Sequence, residues 1–199
     1  MIESSSLTCS EQMAGIILEG VREVMDRGEI ADLFAAVDLT EPGDSVAISE
    51  EDLKRLLVTL EQRHGTLGTA GLAVCIGRAA CPGIVRTFSA ETGFEDVAFR
   101  TLPVQRRAQT GLEKMAGLLN RHLGFRVTVE SSPSAWEWKI EDNAAIRDPL
   151  VKNAVLHFMH GLLQVFLSWA NAGRVFQVDE FAGSAGDGGV IMINRLPLD

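Results

Sequence analysis

The spacing of apolar residues changes period along this chain, and those changes restrict the fold more than any other feature. Up to about Leu123, apolar residues recur three and four apart, the pattern of one helix face. Phe125 to Glu130 then alternates, Ser131-Ser132-Pro133-Ser134 turns, and Ala135 to Ile140 alternates again, which is a hairpin signature. Asp148-Pro149 supplies a cap and a first-turn proline for a helix to about Asn171. Arg174 to Phe181 and Gly189 to Leu196 read as two further strands. The glycines between them, from Gly183 on, read as a hairpin turn, because no GxxxxGK[ST] pattern or following helix is present. Helices, hairpin, long helix, hairpin is an α+β order. It predicts an antiparallel sheet of about four strands covered by helices, with an N-terminal helical layer. Alternating βαβ units are absent, so a Rossmann or P-loop architecture is excluded.

The helical part divides further. Thr8 and Glu11 have capping-box spacing ahead of a helix from about Cys9 to Arg27. A short helix from Ile30 to Val37 follows, then a loop through Pro42-Gly43. Ser49 caps a helix whose buried face is Leu53, Leu56, Leu57 and Leu60, ending near Gly65. The stretch from Thr66 to Ser89 is apolar and rich in small residues. Glycine inside a helix costs roughly 1 kcal/mol relative to alanine. Close approach of another helix or a ligand would offset that cost, and Pro82 is expected to break or kink the segment. Pro103 opens the next helix, and Gly124 closes it.

Charge separates the chain into two parts. Residues 1–61 hold 14 acidic against 4 basic residues, and residues 62–199 hold 13 against 14. We therefore expect an acidic N-terminal helical extension, 1–61, packed on an α+β ligand-binding domain, 62–199. The net charge of −9 argues against direct nucleic-acid binding. Arg63, Arg78, Arg86, Arg100, Arg106 and Arg107 form no run with interleaved aromatics, and are expected to be solvated or paired with the acidic layer. Three cysteines cannot all pair, no signal peptide is visible, and the most apolar run contains His157, His160 and Gln164. A cytoplasmic protein without a membrane span is expected.

The polar residues of the long helix lie on one stripe: His157, His160, Gly161, Gln164 and Ser168. They read as an exposed or interface edge of a buried helix, or as a polar seam lining a pocket. Trp136 and Trp138 share a strand face. They read as core packing, or as an aromatic wall with a directed N–H for an apolar ligand. Tyrosine is absent, so no phenol is available for catalysis or haem ligation. No Ser-His-Asp set, HExxH motif or zinc-like cysteine pair is present, and an enzyme is not the favoured reading.

The stretches RHGTLGTAGLAVCIGRAA, AWEWKIEDN, LHFMHGLL and VFQVDEFAGSAGDGGVIMI, in that order, resemble the 4-vinyl reductase or hydrocarbon-binding domain family, over about Glu61 to Ile193. The resemblance implies a ligand-binding fold shared with trafficking subunits of the TRAPP type, homodimerisation, and an apolar pocket contacted by a strand tryptophan, for which Trp136 is the nearest match. Many members bind zinc through cysteines and a glutamate. Here Glu180 matches the glutamate, but the cysteine positions fall at Leu156 or His157, at Gly183, and at Val190 or Ile191. No metal and no cofactor are therefore expected. The resulting expectation is a module for an apolar or aromatic small molecule, with Trp136, Trp138, Phe158, Leu162, Cys75 and His157 at the ligand. A ligand-free dimerisation scaffold and a tetrapyrrole vinyl reductase-like enzyme are the alternatives.

Overall fold

The computed structural model describes residues 10–36, 50–124, 126–141, 148–181 and 189–198, with side chains in the second stretch from Lys54 onward. Helix α1 (Glu11–Val24) starts at Ser10, whose hydroxyl accepts from the Met13 N–H. The expected cap at Thr8 lies outside the described residues. Ser10 also ties α1 to a distant helix end: its N–H donates to the His122 carbonyl at 2.8 Å, and its Oγ lies 2.9 Å from His122 Nδ1. Helix α2 (Arg27–Ala36) contributes Ile30, Leu33 and Phe34 to the core.

Helix α3 (Glu50–Thr87) joins two helical runs, and its irregularity sits at Gly65, where the sequence reading ends the first of them, rather than at Pro82. The bend is at Gly65, where φ of 69° and ψ of 169° leave the helical region. Such a φ is one that glycine adopts freely and other residues resist. Pro82 is inside α3, not at its end. The lost N–H is tolerated because Ala80, Cys81, Ile84 and Val85 around it are buried. Packing outweighs the local preference. The expected division after residue 61 falls within this helix.

Short helices α4 (Ser89–Thr92) and α5 (Val97–Arg100) lead to α6 (Val104–His122). Gly93 and Gly124 close α4 and α6 with left-handed φ values of 65° and 64°. The strands are β1 (Val127–Ser131), β2 (Ala135–Ile140), β3 (Phe176–Phe181) and β4 (Gly189–Pro197), with α7 (Pro149–Ala170) between the two hairpins. They form one antiparallel sheet in the order β1-β2-β4-β3. The α+β class and the four-stranded antiparallel sheet agree with the expectation.

Register places Trp136 between Ser131 and Ile193, and Trp138 between Val129 and Ile191. This face packs towards the helices. Helix α7 lies between sheet and α3, touching β3 and β4 on one side and α3 on the other. Being covered on two sides, it needs apolar residues around most of its circumference. Val151, Leu156, Met159, Leu162, Leu163, Phe166 and Leu167 are all buried. By length and composition, α3 and α7 are also apolar enough to cross a bilayer, but here they pack on each other.

Two glycines set that packing. A Cβ on Gly77 would overlap the Phe158 carbonyl oxygen, and one on Gly161 would overlap the Val74 carbonyl oxygen. Each helix therefore presents a bare backbone patch to the other's carbonyl. The close-approach reason for the glycines holds for these two.

Cys81 lies beneath the same layer, 1% exposed, and burial pushes its thiol up to about 12 from an ordinary 9.0. A raised folded-state pKa contributes stability that is complete below pH 9 and lost as pH climbs towards 12. Urea unfolding of wild type should therefore lose stability between pH 8.5 and pH 10.5 relative to Cys81→Ala. Parallel pH curves for the two proteins would remove burial of the neutral thiol as a source of stability.

Candidate functional site

Strand alternation puts three hydrogen-bond donors on the inner sheet face. Trp136 and Trp138 are each 0% exposed, and neither indole Nε1 has a partner among the described residues. Two places along β4 from Ile193, on the same face, stands Arg195. Its guanidinium lies over the Trp136 ring at 5.3 Å from the centroid. Its Nη2 donates to Ser131 Oγ at 2.6 Å, and its buried Nε has no partner among the described residues. Three buried donors and no acceptor is an unbalanced set. Leaving a buried donor unmet costs about 1–3 kcal/mol, and native interiors rarely tolerate it. The arrangement suits a molecule with an apolar body and an acceptor oxygen.

A second polar group crosses from α3 to β3. Arg78 donates to Gln164 Oε1 from Nε at 3.1 Å and Nη2 at 2.6 Å. Arginine has no acceptor, so it fixes the Gln164 amide with oxygen towards α3. The Gln164 Nε2 then donates to His160 Nε2 at 2.6 Å, which puts the ring proton on Nδ1. That nitrogen is 2.6 Å from Glu180 Oε1, a close approach that is not aligned along the ring N–H. Glu180 Oε2 lies 2.6 Å from His157 Nδ1. The helix stripe is thus a polar seam that bolts β3 to α7 and α7 to α3. Replacing Gln164 with leucine should release the tautomer. Ring ¹⁵N spectra would show one Nδ1–H form for His160 in wild type and a mixture in the variant. A mixture in both would sever Arg78 from control of the ring.

The six expected site residues do not share one location. Trp136, Trp138 and Leu162 are buried between sheet and helices. Phe158 is half-buried against that core, with its carbonyl over Gly77. His157 is held in the seam by Glu180. Cys75 is exposed on α3, so its side chain does not join the tryptophans. Arg195 escapes sequence reasoning, although its register position was readable: Gly189, Ile191, Ile193 and Arg195 alternate onto one face. Glu180, which the resemblance matched to a zinc-binding glutamate, is 17% exposed and holds His157. Among the described residues, no group of three or more His, Cys, Asp or Glu is arranged to hold a metal ion.

No family model matches the chain. No curated protein matches it either. Solved structures do match, over nearly the whole length. A Cs H-NOX mutant is 10% identical, with a TM-score of 0.63, covering 94% of this chain and 97% of that one. An oxygen-binding H-NOX domain related to soluble guanylate cyclases is 12% identical at a TM-score of 0.58, with coverages of 95% and 96%. The Fe(II) unliganded H-NOX protein from K. algicida is 14% identical at 0.58, with coverages of 90% and 94%. At these identities the likeness establishes the fold. It overturns the expected kinship with the 4-vinyl reductase domain: the chain is built like H-NOX domains.

Proposed function

We propose that this chain is a small-molecule-binding module of sensory type, built on the H-NOX fold but working without haem. Its ligand is an apolar or aromatic molecule bearing a carbonyl or comparable acceptor oxygen, received at the inner sheet face by Trp136, Trp138 and Arg195. The observation that carries this reading is the set of three buried donors without an acceptor among the described residues. Cytoplasmic location belongs to the same proposal.

Haem is the group that the matched proteins bring to mind, since two of them are described through heme distortion and heme redox potential. Haem iron is held by histidine, cysteine, methionine or tyrosine. This chain has four histidines and no tyrosine. His122 has both ring nitrogens engaged, by Ser10 and Glu91, and His160 Nε2 is taken by Gln164 while its Nδ1 lies 2.6 Å from Glu180. His64 and His157 are paired with Glu29 and Glu180 and are 31% and 29% exposed, at the rim of the helices. Cys81 is a neutral buried thiol. Met115, the sulfur ligand that α6 turns inward, is 0% exposed in the packed core. These residues do not fit haem, and no step is routed through it.

Calorimetric titration tests the reading. One- and two-ring aromatic ketones should bind, and the matching hydrocarbons without the carbonyl should bind more weakly. Haemin should give no stoichiometric shift of its Soret band. Stoichiometric haem uptake, or hydrocarbons binding as well as ketones, would contradict the proposal.

A further inference from the structure

Away from the sheet, a cleft of about 210 Å³ opens between α3, α5 and α7. Its walls are apolar: Val85 from α3, with Val165 and Trp169 from α7, over buried Cys81. Trp169 is 37% exposed, but its ring is fixed. Phe94 meets it edge-on at 6.1 Å and 69°, and Phe166 packs at 6.1 Å. It forms an aromatic wall of the cleft.

Arg86, Arg100 and Glu95 line the cleft. Among the described residues none of the three side chains has a hydrogen-bond or ion-pair partner, whereas Arg78 holds Gln164, Arg107 holds Asn171 and Arg121 holds Glu91. Of the two expectations for Arg86 and Arg100, solvation or pairing with the acidic N-terminal layer, no pairing is seen among the described residues. Two guanidinium groups against one carboxylate leave a surplus of one positive charge. A guanidinium presents a planar fork of donors that matches a carboxylate. The volume is below the roughly 300–1,000 Å³ of pockets for drug-sized ligands, so the occupant is a single ring or a short chain.

We infer that this cleft is a second binding site, and that it takes a small monocarboxylate with an apolar body, its carboxylate on Arg86 and Arg100 and its body against Trp169. The site is separate from the inner sheet face, and its test reads a different residue. Trp136 and Trp138 are 0% exposed, so among the three tryptophans only Trp169 is open to a soluble quencher.

Acrylamide quenching of the full chain, titrated with benzoate, reads the site directly. Benzoate at millimolar concentration should protect Trp169 saturably. Benzyl alcohol, equal in ring size but neutral, should protect at least tenfold more weakly. The double variant R86Q/R100Q, folded by circular dichroism, should lose at least tenfold in benzoate affinity. Phenylalanine separates a simple anion site from a zwitterion site: weaker protection than by benzoate supports the proposal, and stronger protection, with its ammonium on Glu95, overturns the monocarboxylate assignment. Absence of saturable protection, equal protection by benzyl alcohol, or unchanged affinity in the double variant would each overturn the site. None of these outcomes moves the indole N–H groups of the sheet face, so failure here leaves the ketone reading to its own experiment.

Discussion

Gly161→Ala should lower the melting temperature by about 6–12 °C, while Gly71→Ala should leave it unchanged or raise it. The two substitutions add the same methyl group to helical glycines. At Gly161 that methyl overlaps the Val74 carbonyl oxygen, which belongs to the backbone of α3 and cannot rotate away. At Gly71, a Cβ meets nothing within 4 Å. Overpacking a tight contact costs typically 1–3 kcal/mol, and a rigid backbone partner places Gly161 at the upper end. A domain of this size moves about 2–4 °C per kcal/mol. At Gly71 only helix propensity acts, favouring alanine by up to about 1 kcal/mol. Gly77→Ala, facing the Phe158 carbonyl oxygen, should behave like Gly161→Ala. Scanning calorimetry of the three variants decides it. A Gly161→Ala protein as stable as Gly71→Ala would mean that α3 and α7 do not cross this closely.

Trp138 provides the second large effect, because two substitutions there separate its volume from its donor. Trp138→Ala removes a fully buried indole from the centre of the sheet face and should cost about 3–5 kcal/mol. Trp138→Phe keeps an aromatic ring and deletes an N–H that has no partner among the described residues. Removing an unmet donor offsets part of the lost packing, so the phenylalanine variant should stay within about 1–2 kcal/mol of wild type. Ligand binding should respond differently. The phenylalanine variant should lose ketone affinity by about 2–10-fold, the weight of one neutral hydrogen bond, and keep its affinity for the matching hydrocarbon. If both affinities fall together, Trp138 contributes only shape, and its N–H has no part in recognition.

Much of the fold was legible because period and punctuation agree. Asp148 accepts from the Leu150 N–H with Pro149 behind it, as the cap pattern predicts. The hairpin register follows the alternation on either side of Ser131-Ser132-Pro133-Ser134. Local rules failed where packing decides. Pro82 reads as a break, yet α3 continues because its neighbours are buried on several sides. The site was half legible. Alternation put Trp136 and Trp138 on one face, but it could not show that both N–H groups stay unmet. The spacing of His157, His160 and Gln164 revealed the stripe, but Glu180 and Arg78 reach it from elements distant in sequence. Arg86 and Arg100 look like ordinary surface charges until the fold sets them beside Trp169. Kinship was misread because element order carries little information about side chains, and the cysteines that would mark the 4-vinyl reductase pattern were already missing.

The most direct test of the sheet-face account is the indole region of a ¹H–¹⁵N spectrum of the full chain during titration with aromatic ketones. The chain has three tryptophans, so three Nε1–H signals are assignable by single substitution. The account predicts that a ketone moves the Trp136 and Trp138 signals downfield, as each donor gains an acceptor, and that the hydrocarbon without the carbonyl does not. Signals from Trp136 and Trp138 that stay in place through saturation with every ketone, or that move equally with the hydrocarbon, would contradict it.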